Sequence, residues 1–156
     1  MAASVRGWLV DTNVISELRK GRRCSPNVRA WSEHVPPAAC HISQVSLAEI
    51  RFGIERVDDP DFRAELEAWL LDGVLPWFGA RILEVDAAVL TQWCHLAAEG
   101  RKARYTYAQP DVLLAATALV HRLGVATRNV EDFVRAGVRI VNPWEADPAR
   151  TRDAVP

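Results

Sequence analysis

Cysteine is scarce and unpaired in this 156-residue chain: Cys24, Cys40 and Cys94 are odd in number and far apart. Such a set makes no disulfide framework. Neither Cys40-His41 nor Cys94-His95 has a second thiol at zinc-ligand spacing, so these residues read as structural. Long apolar runs are missing too. No stretch reaches the roughly 18 apolar residues a membrane span requires, and no basic segment leads into an apolar leader, so the expectation is a cytoplasmic protein without membrane partners. An excess of charge of one sign is the third absence. Nineteen basic against twenty acidic side chains leave a net charge of −1, so no global field draws the chain to nucleic acid, and any such contact has to be local. Two basic clusters offer one: Arg19, Lys20, Arg22 and Arg23, and then Arg101, Lys102 and Arg104, followed by Tyr105 and Tyr107. Solvated faces account for most such runs. There is also no serine–histidine or cysteine–histidine signature of a side-chain nucleophile, and no internal repeat.

What is present is apolar substance and a strand–helix alternation. With 49% of its residues hydrophobic, the chain can bury a sizeable single core, and one domain over residues 1–146 with a flexible polar tail over 147–156 is expected. Trp8-Leu9-Val10 reads as a buried first strand that ends on Asp11-Thr12-Asn13 and passes into a short helix. Gly21 to Pro26 is a basic turn, and Asn27 to His34 is a helix that Pro36-Pro37 ends. Ala39 to Ile42 is a second strand. The next helix starts either at Ser43 or at Ser46, where Ser46-Leu47-Ala48-Glu49 fits a capping box. A third strand lies within Ala80 to Val85, Asp86 caps a long helix that Gly100 closes, and Pro110-Asp111 opens a helix apolar all round and therefore buried. Val125 to Thr127 and Val138 to Val141 are the last strands. Alternating strands and helices imply a parallel sheet whose strand-to-helix junctions share one edge.

Four acids stand at or near those junctions: Asp11, Glu49, Asp111 and Asp132. Each has an ordinary explanation as a cap or first-turn residue. Their joint placement allows convergence, and carboxylates brought together repel one another and partly protonate unless a cation neutralises them. All-oxygen ligation suits Mg²⁺ or Mn²⁺. Such a site commonly serves phosphodiester hydrolysis, in which the ion orients a phosphate oxygen and lowers the pKa of a bound water.

The stretches Val10-Asp11-Thr12-Asn13-Val14-Ile15-Ser16-Glu17, Ser46-Leu47-Ala48-Glu49-Ile50-Arg51-Phe52-Gly53-Ile54, Asp111-Val112-Leu113-Leu114-Ala115-Ala116-Thr117-Ala118, Ala126-Thr127-Arg128-Asn129-Val130-Glu131-Asp132-Phe133 and the closing Gly137 to Trp144 together resemble a PIN domain, particularly the VapC and FitB toxin branch. That resemblance covers about residues 8 to 144. It implies a three-layer α/β/α fold around a parallel sheet of about five short strands, and a Mg²⁺- or Mn²⁺-dependent endoribonuclease, the toxin of a type II toxin–antitoxin pair silenced by a cognate antitoxin. By matching position, Asp11, Glu49 and Asp111 would hold metal and Asp132 would be the fourth catalytic acid. Many relatives carry an aspartate where this chain has Asn129, which implies that a second metal binds weakly or only with substrate. Thr12, Asn13, Thr127 and Asn129 are second-rank candidates to steady the carboxylates, and Arg128 to meet a phosphate of the RNA substrate. Trp31, Trp69, Trp77 and Trp93 offer aromatic surface for a homodimer, which the family also implies, with Arg22, Arg23, Arg101 or Lys102 beside a shared groove. The competing reading is a non-catalytic PIN-like module that binds RNA or protein.

Overall fold

The computed structural model describes residues 4–146; the expected tail lies outside the described residues. Strand β1 (Trp8–Val10) is central in a five-stranded sheet with β2 (Cys40–Ser43), β3 (Ile82–Leu83), β4 (Gly124–Ala126) and β5 (Ile140–Val141), in the order β3-β2-β1-β4-β5. Every pairing is parallel, as the three-layer α/β/α expectation requires. Side chains alternate across the sheet. Trp8 and Val10 therefore enter one core with Val14, Trp31 and Ile42, while Leu9 enters a second with Val112, Val125 and Phe133.

Helices α1 (Thr12–Arg19), α2 (Pro26–His34), α3 (Gln44–Glu55), α4 (Pro60–Ala68) and α5 (Leu75–Phe78) precede β3, and α6 (Ala87–Lys102), α7 (Gln109–His121) and α8 (Glu131–Arg135) follow it. Ile15, Val28, Ile50, Ile54 and Phe78 line the first core, and Val89, Leu96, Ala115 and Phe133 the second, so helical layers close both faces. Among the described residues, no helix is long and apolar enough to cross a membrane.

Several boundaries move from those expected. The second strand reaches Ser43, whose hydroxyl caps α3 by accepting from the Val45 N–H at 3.0 Å. The capping-box start at Ser46 is thus overturned, and Glu49 lies inside α3. Gly100 does not close α6, which runs on to Lys102; the ring of Tyr107 rests against it, so that a Cβ there would stand 2.8 Å from Cε2. A π-helical segment, Trp69–Val74, continues α4 into α5 and carries no signal in the apolar spacing. Trp31, counted toward a dimer surface, is buried in the core instead.

Candidate active site

The strand order reverses at β1, because β2 and β3 lie to one side of it and β4 and β5 to the other. In open α/β sheets a crevice forms there, beyond the carboxyl ends of the strands. Asp11 follows the last residue of β1, and Thr127 the last residue of β4. Both are buried, and they meet: the Thr127 hydroxyl donates to Asp11 Oδ2 at 2.7 Å. The same oxygen accepts from Asn13 Nδ2 at 3.2 Å, and Asp11 Oδ1 accepts from the Thr12 N–H at 2.7 Å. Asn13 accepts in turn from the Arg128 backbone N–H at 3.3 Å. Asp11 is therefore fixed by neighbours on both central strands.

Asp111 stands in the first turn of α7. Its Oδ2 accepts from Asn129 Nδ2 at 2.8 Å, and the Asn129 N–H donates to Thr127 Oγ1 at 3.0 Å. Asn129 thus ties Asp111 to Thr127 and through it to Asp11. Glu49, half-buried, arrives from the third element, α3. Its Oε1 is buried without a hydrogen-bond partner, and so is Thr12 Oγ1. The Thr12 hydroxyl lies close enough to favour a charged Glu49 without reaching hydrogen-bond geometry.

The three carboxyls feel one another. Burial pushes Asp111 up to about 6, helped by the charges of Asp11 and Asp132 and opposed by the Asn129 amide. Burial likewise raises Glu49, with the charges of Asp11 and Asp111 adding to it. Burial raises Asp11 too, against the hydrogen bonds from Thr127, Thr12 and Asn13. A buried carboxylate oxygen without a partner, in the field of two further acids, is a donor set that a hard divalent cation would complete. Among the described residues, however, no three Asp, Glu, His or Cys side chains close on one point at metal-ligand spacing. The acids form an electrostatic cluster in which Glu49 Oε1 is buried without a hydrogen-bond partner.

Asp132 and Arg128 sit differently. Asp132 is buried in the first turn of α8, where Oδ1 accepts from the Tyr105 hydroxyl and Oδ2 from the Ala108 N–H at 3.0 Å. Its charge reaches Asp111, but both its oxygens are engaged in holding the entrance of α7. Nothing in the sequence pointed to Tyr105 as its partner. The exposed Arg128 guanidinium lies 5.2 Å over the Trp144 ring rather than among the acids.

Residues 8–138, which carry all of the acids and the side chains that hold them, match the PIN domain family. The chain is a PIN-domain protein. Over 137 residues it is 34% identical to the VapC ribonuclease Y4jK of Sinorhizobium fredii, covering 88% of this chain and 97% of that one. The crystal structure of FitAcB from Neisseria gonorrhoeae superposes with a TM-score of 0.83 at 32% identity, over 88% of this chain and 99% of that one. A toxin–antitoxin complex from Klebsiella pneumoniae superposes at 0.63 with 26% identity, over 90% of this chain and all of that one. In this PIN domain, then, the crevice at the strand reversal and the acids around it belong to the part shared with those proteins.

Proposed function

We propose that this PIN domain is an endoribonuclease, the toxin of a type II toxin–antitoxin pair. A cognate antitoxin silences it, Mg²⁺ or Mn²⁺ is its cofactor, and a homodimer is its working form. The observation that carries the reading is the hydrogen-bonded link from Asp11 through Thr127 and Asn129 to Asp111, with the Glu49 carboxyl near enough to be raised by the charges of both acids. Likeness to a VapC ribonuclease and to the toxin–antitoxin complex supports the substrate class and the partner.

In this reading, Asp11, Glu49 and Asp111 would hold the ion. A divalent cation there would supply the positive charge that lets a phosphate approach three carboxylates, and would acidify the attacking water. The protein does the rest. Thr127 and Asn13 hold Asp11 Oδ2 in place, Asn129 sets Asp111, and Glu49 offers its buried, unpartnered Oε1. Asp132 acts at a distance, by holding the first turn of α7 so that Asp111 faces the crevice.

The test is RNA cleavage by the purified chain in Mg²⁺. Asp111→Asn should abolish it while leaving a native, cooperatively melting fold; cleavage at the parent's rate would overturn the site. The acids' failure to close on one point favours the second reading, an RNA- or protein-binding module without cleavage. A wild-type chain that binds RNA but leaves it intact in both Mg²⁺ and Mn²⁺ would establish that reading instead.

A further inference from the structure

Beside the acid crevice, a concavity of about 370 Å³ opens between the end of α6 and the entrance of α7, lined by Arg101, Arg104, Tyr105, Tyr107, Gln109 and Val112 among others. Its cations are available. Arg101 and Arg104 are exposed, and among the described residues neither forms an ion pair, whereas Lys102 between them is taken by Glu99 at 3.0 Å. The turn that presents them is built rather than loose: Arg104 sits in the left-handed region at φ 56° with its N–H on the Arg101 carbonyl at 3.1 Å, and the Tyr105 N–H reaches the Gly100 carbonyl at 2.8 Å. Gln109 is held by the Trp93 indole N–H at 3.2 Å. The Tyr105 and Tyr107 rings meet edge to face at 5.0 Å. Arg135 covers Tyr105 at 4.1 Å, so contact with any planar ligand falls chiefly to the half-buried Tyr107.

Among the described residues, no acid lines this concavity, but it is tied to the acids' neighbourhood: Tyr105 lines it and donates its hydroxyl to Asp132, and Gln109 and Val112 come from the same first turn of α7 that carries Asp111. A polyanion drawn to that crevice is repelled by three carboxylates and meets a chain of net charge −1, so its attraction has to come from cations placed alongside. Arginine beside an aromatic ring is the combination that holds single-stranded nucleic acid, one phosphate and one base at a time.

We propose that the concavity seats one nucleotide of a single-stranded RNA next to the bond that is cut, with its base against Tyr107 and its flanking phosphates on Arg101 and Arg104. The inference rests on the ribonuclease reading and adds the place where the strand is gripped. It also gives the Arg101 to Tyr107 run a purpose other than solvation.

The experiment is equilibrium binding of a fluorescent single-stranded RNA to the full chain carrying Asp111→Asn, with and without Arg101→Ala plus Arg104→Ala, across a salt series. The paired change should weaken binding roughly tenfold and reduce the slope of log K against log salt by about 0.7 for each arginine lost. Tyr107→Leu, which keeps apolar bulk over Gly100, should weaken binding roughly fivefold or more, as loss of one stacked base does. An abasic spacer walked along the RNA should then find one position where it weakens the parent but not Tyr107→Leu. Unchanged affinity and slope in the arginine pair, with native melting curves, overturn the proposal. So does loss of antitoxin binding in that pair with RNA affinity intact, which would make the surface a protein contact. Cleavage separates the two layers. If the wild-type chain cuts RNA and the arginine pair leaves KM unchanged, the concavity is wrong and the nuclease stands. If nothing is cut yet binding depends on these residues, the concavity stands and the nuclease falls.

Discussion

Asp132 shows how far a side chain's identity falls short of its role. As an acid in the last of four ordered motifs it reads as the fourth member of a catalytic set, yet its two oxygens accept from Tyr105, 27 residues earlier, and from the N–H of Ala108, the cap of α7. Removing the phenol should therefore loosen the α7 entrance and leave the acids themselves in place. Tyr105→Phe is expected to cost about 1–2 kcal/mol of stability, and to lower kcat with little change in the pH profile, read by urea melts and initial rates. Asp111 carries the complementary prediction. Its carboxyl titrates near 6 in the folded chain against an ordinary 3.8, and Asp11 and Glu49 are raised as well. The folded state therefore holds protons that the unfolded state has already released. The Asp111 contribution is complete below about pH 4 and is lost as pH rises through about 6, and those of Asp11 and Glu49 run in the same direction. In metal-free buffer the melting temperature should fall over that window, and less steeply in Asp111→Asn. Equal slopes in the two proteins would show that Asp111 is not raised. Asp11 was visible as the residue that ends a buried strand and Asp111 as the acid in the first turn of an apolar helix, whereas Glu49 lies inside α3 and could be read either as a cap partner or as an interior acid. Tyr105 was not visible, because a hydrogen bond across 27 residues leaves no periodic trace.

At the scale of elements, what was legible was the alternation and what was not was the ends. All five strands and the helix carrying Asp111 were visible in apolar runs, since burial on both faces of a parallel sheet demands them. The start of α3 was ambiguous because two serines both had cap chemistry, and only the sheet decided. Ile42 and Ser43 pair with Ile82 and Leu83 of β3, which keeps that backbone extended and makes Ser43 the cap. Two substitutions distinguish the serines. Ser43→Ala should lose about 1 kcal/mol, or about 2–4 °C in melting temperature, and with it some of the placement of Glu49. Ser46→Ala should cost far less, since Ser46 Oγ is buried without a partner. The π-helical Trp69–Val74 was invisible for a different reason. An extra residue per turn rotates the apolar stripe without breaking it, so the spacing still reads as helix. Gly100 was misplaced by a rule that favours glycine at helix ends; here the reason for glycine is the approach of the Tyr107 ring. Gly100→Ala should destabilise the chain and shift the turn that presents Arg101 and Arg104.

For the molecule as a whole, the sheet order is what gathers the acids. Had β4 paired outside β3, Thr127 and Asn129 would lie three strands from Asp11; because β4 pairs with β1, they fasten Asp11 and Asp111 together at the reversal. That arrangement buries the carboxylates and keeps them close in the absence of a counter-charge, and burial first, then the mutual charge felt by Glu49 and Asp111, raises their proton affinity. A cation that replaces those protons should stabilise the fold by mass action, about 2.7 kcal/mol at a hundred times its Kd. Titration with Mn²⁺ at a pH well above 6 should thus raise the melting temperature of the parent progressively. Near pH 5 the same titration should do less, because protons then compete for Asp111. Asp111→Asn should respond weakly at both, having lost a ligand and the charge that made the site attract a cation. A parent that melts at one temperature across the whole Mn²⁺ series would mean that the three acids never close on an ion, and the chain would then have to work as a binding module.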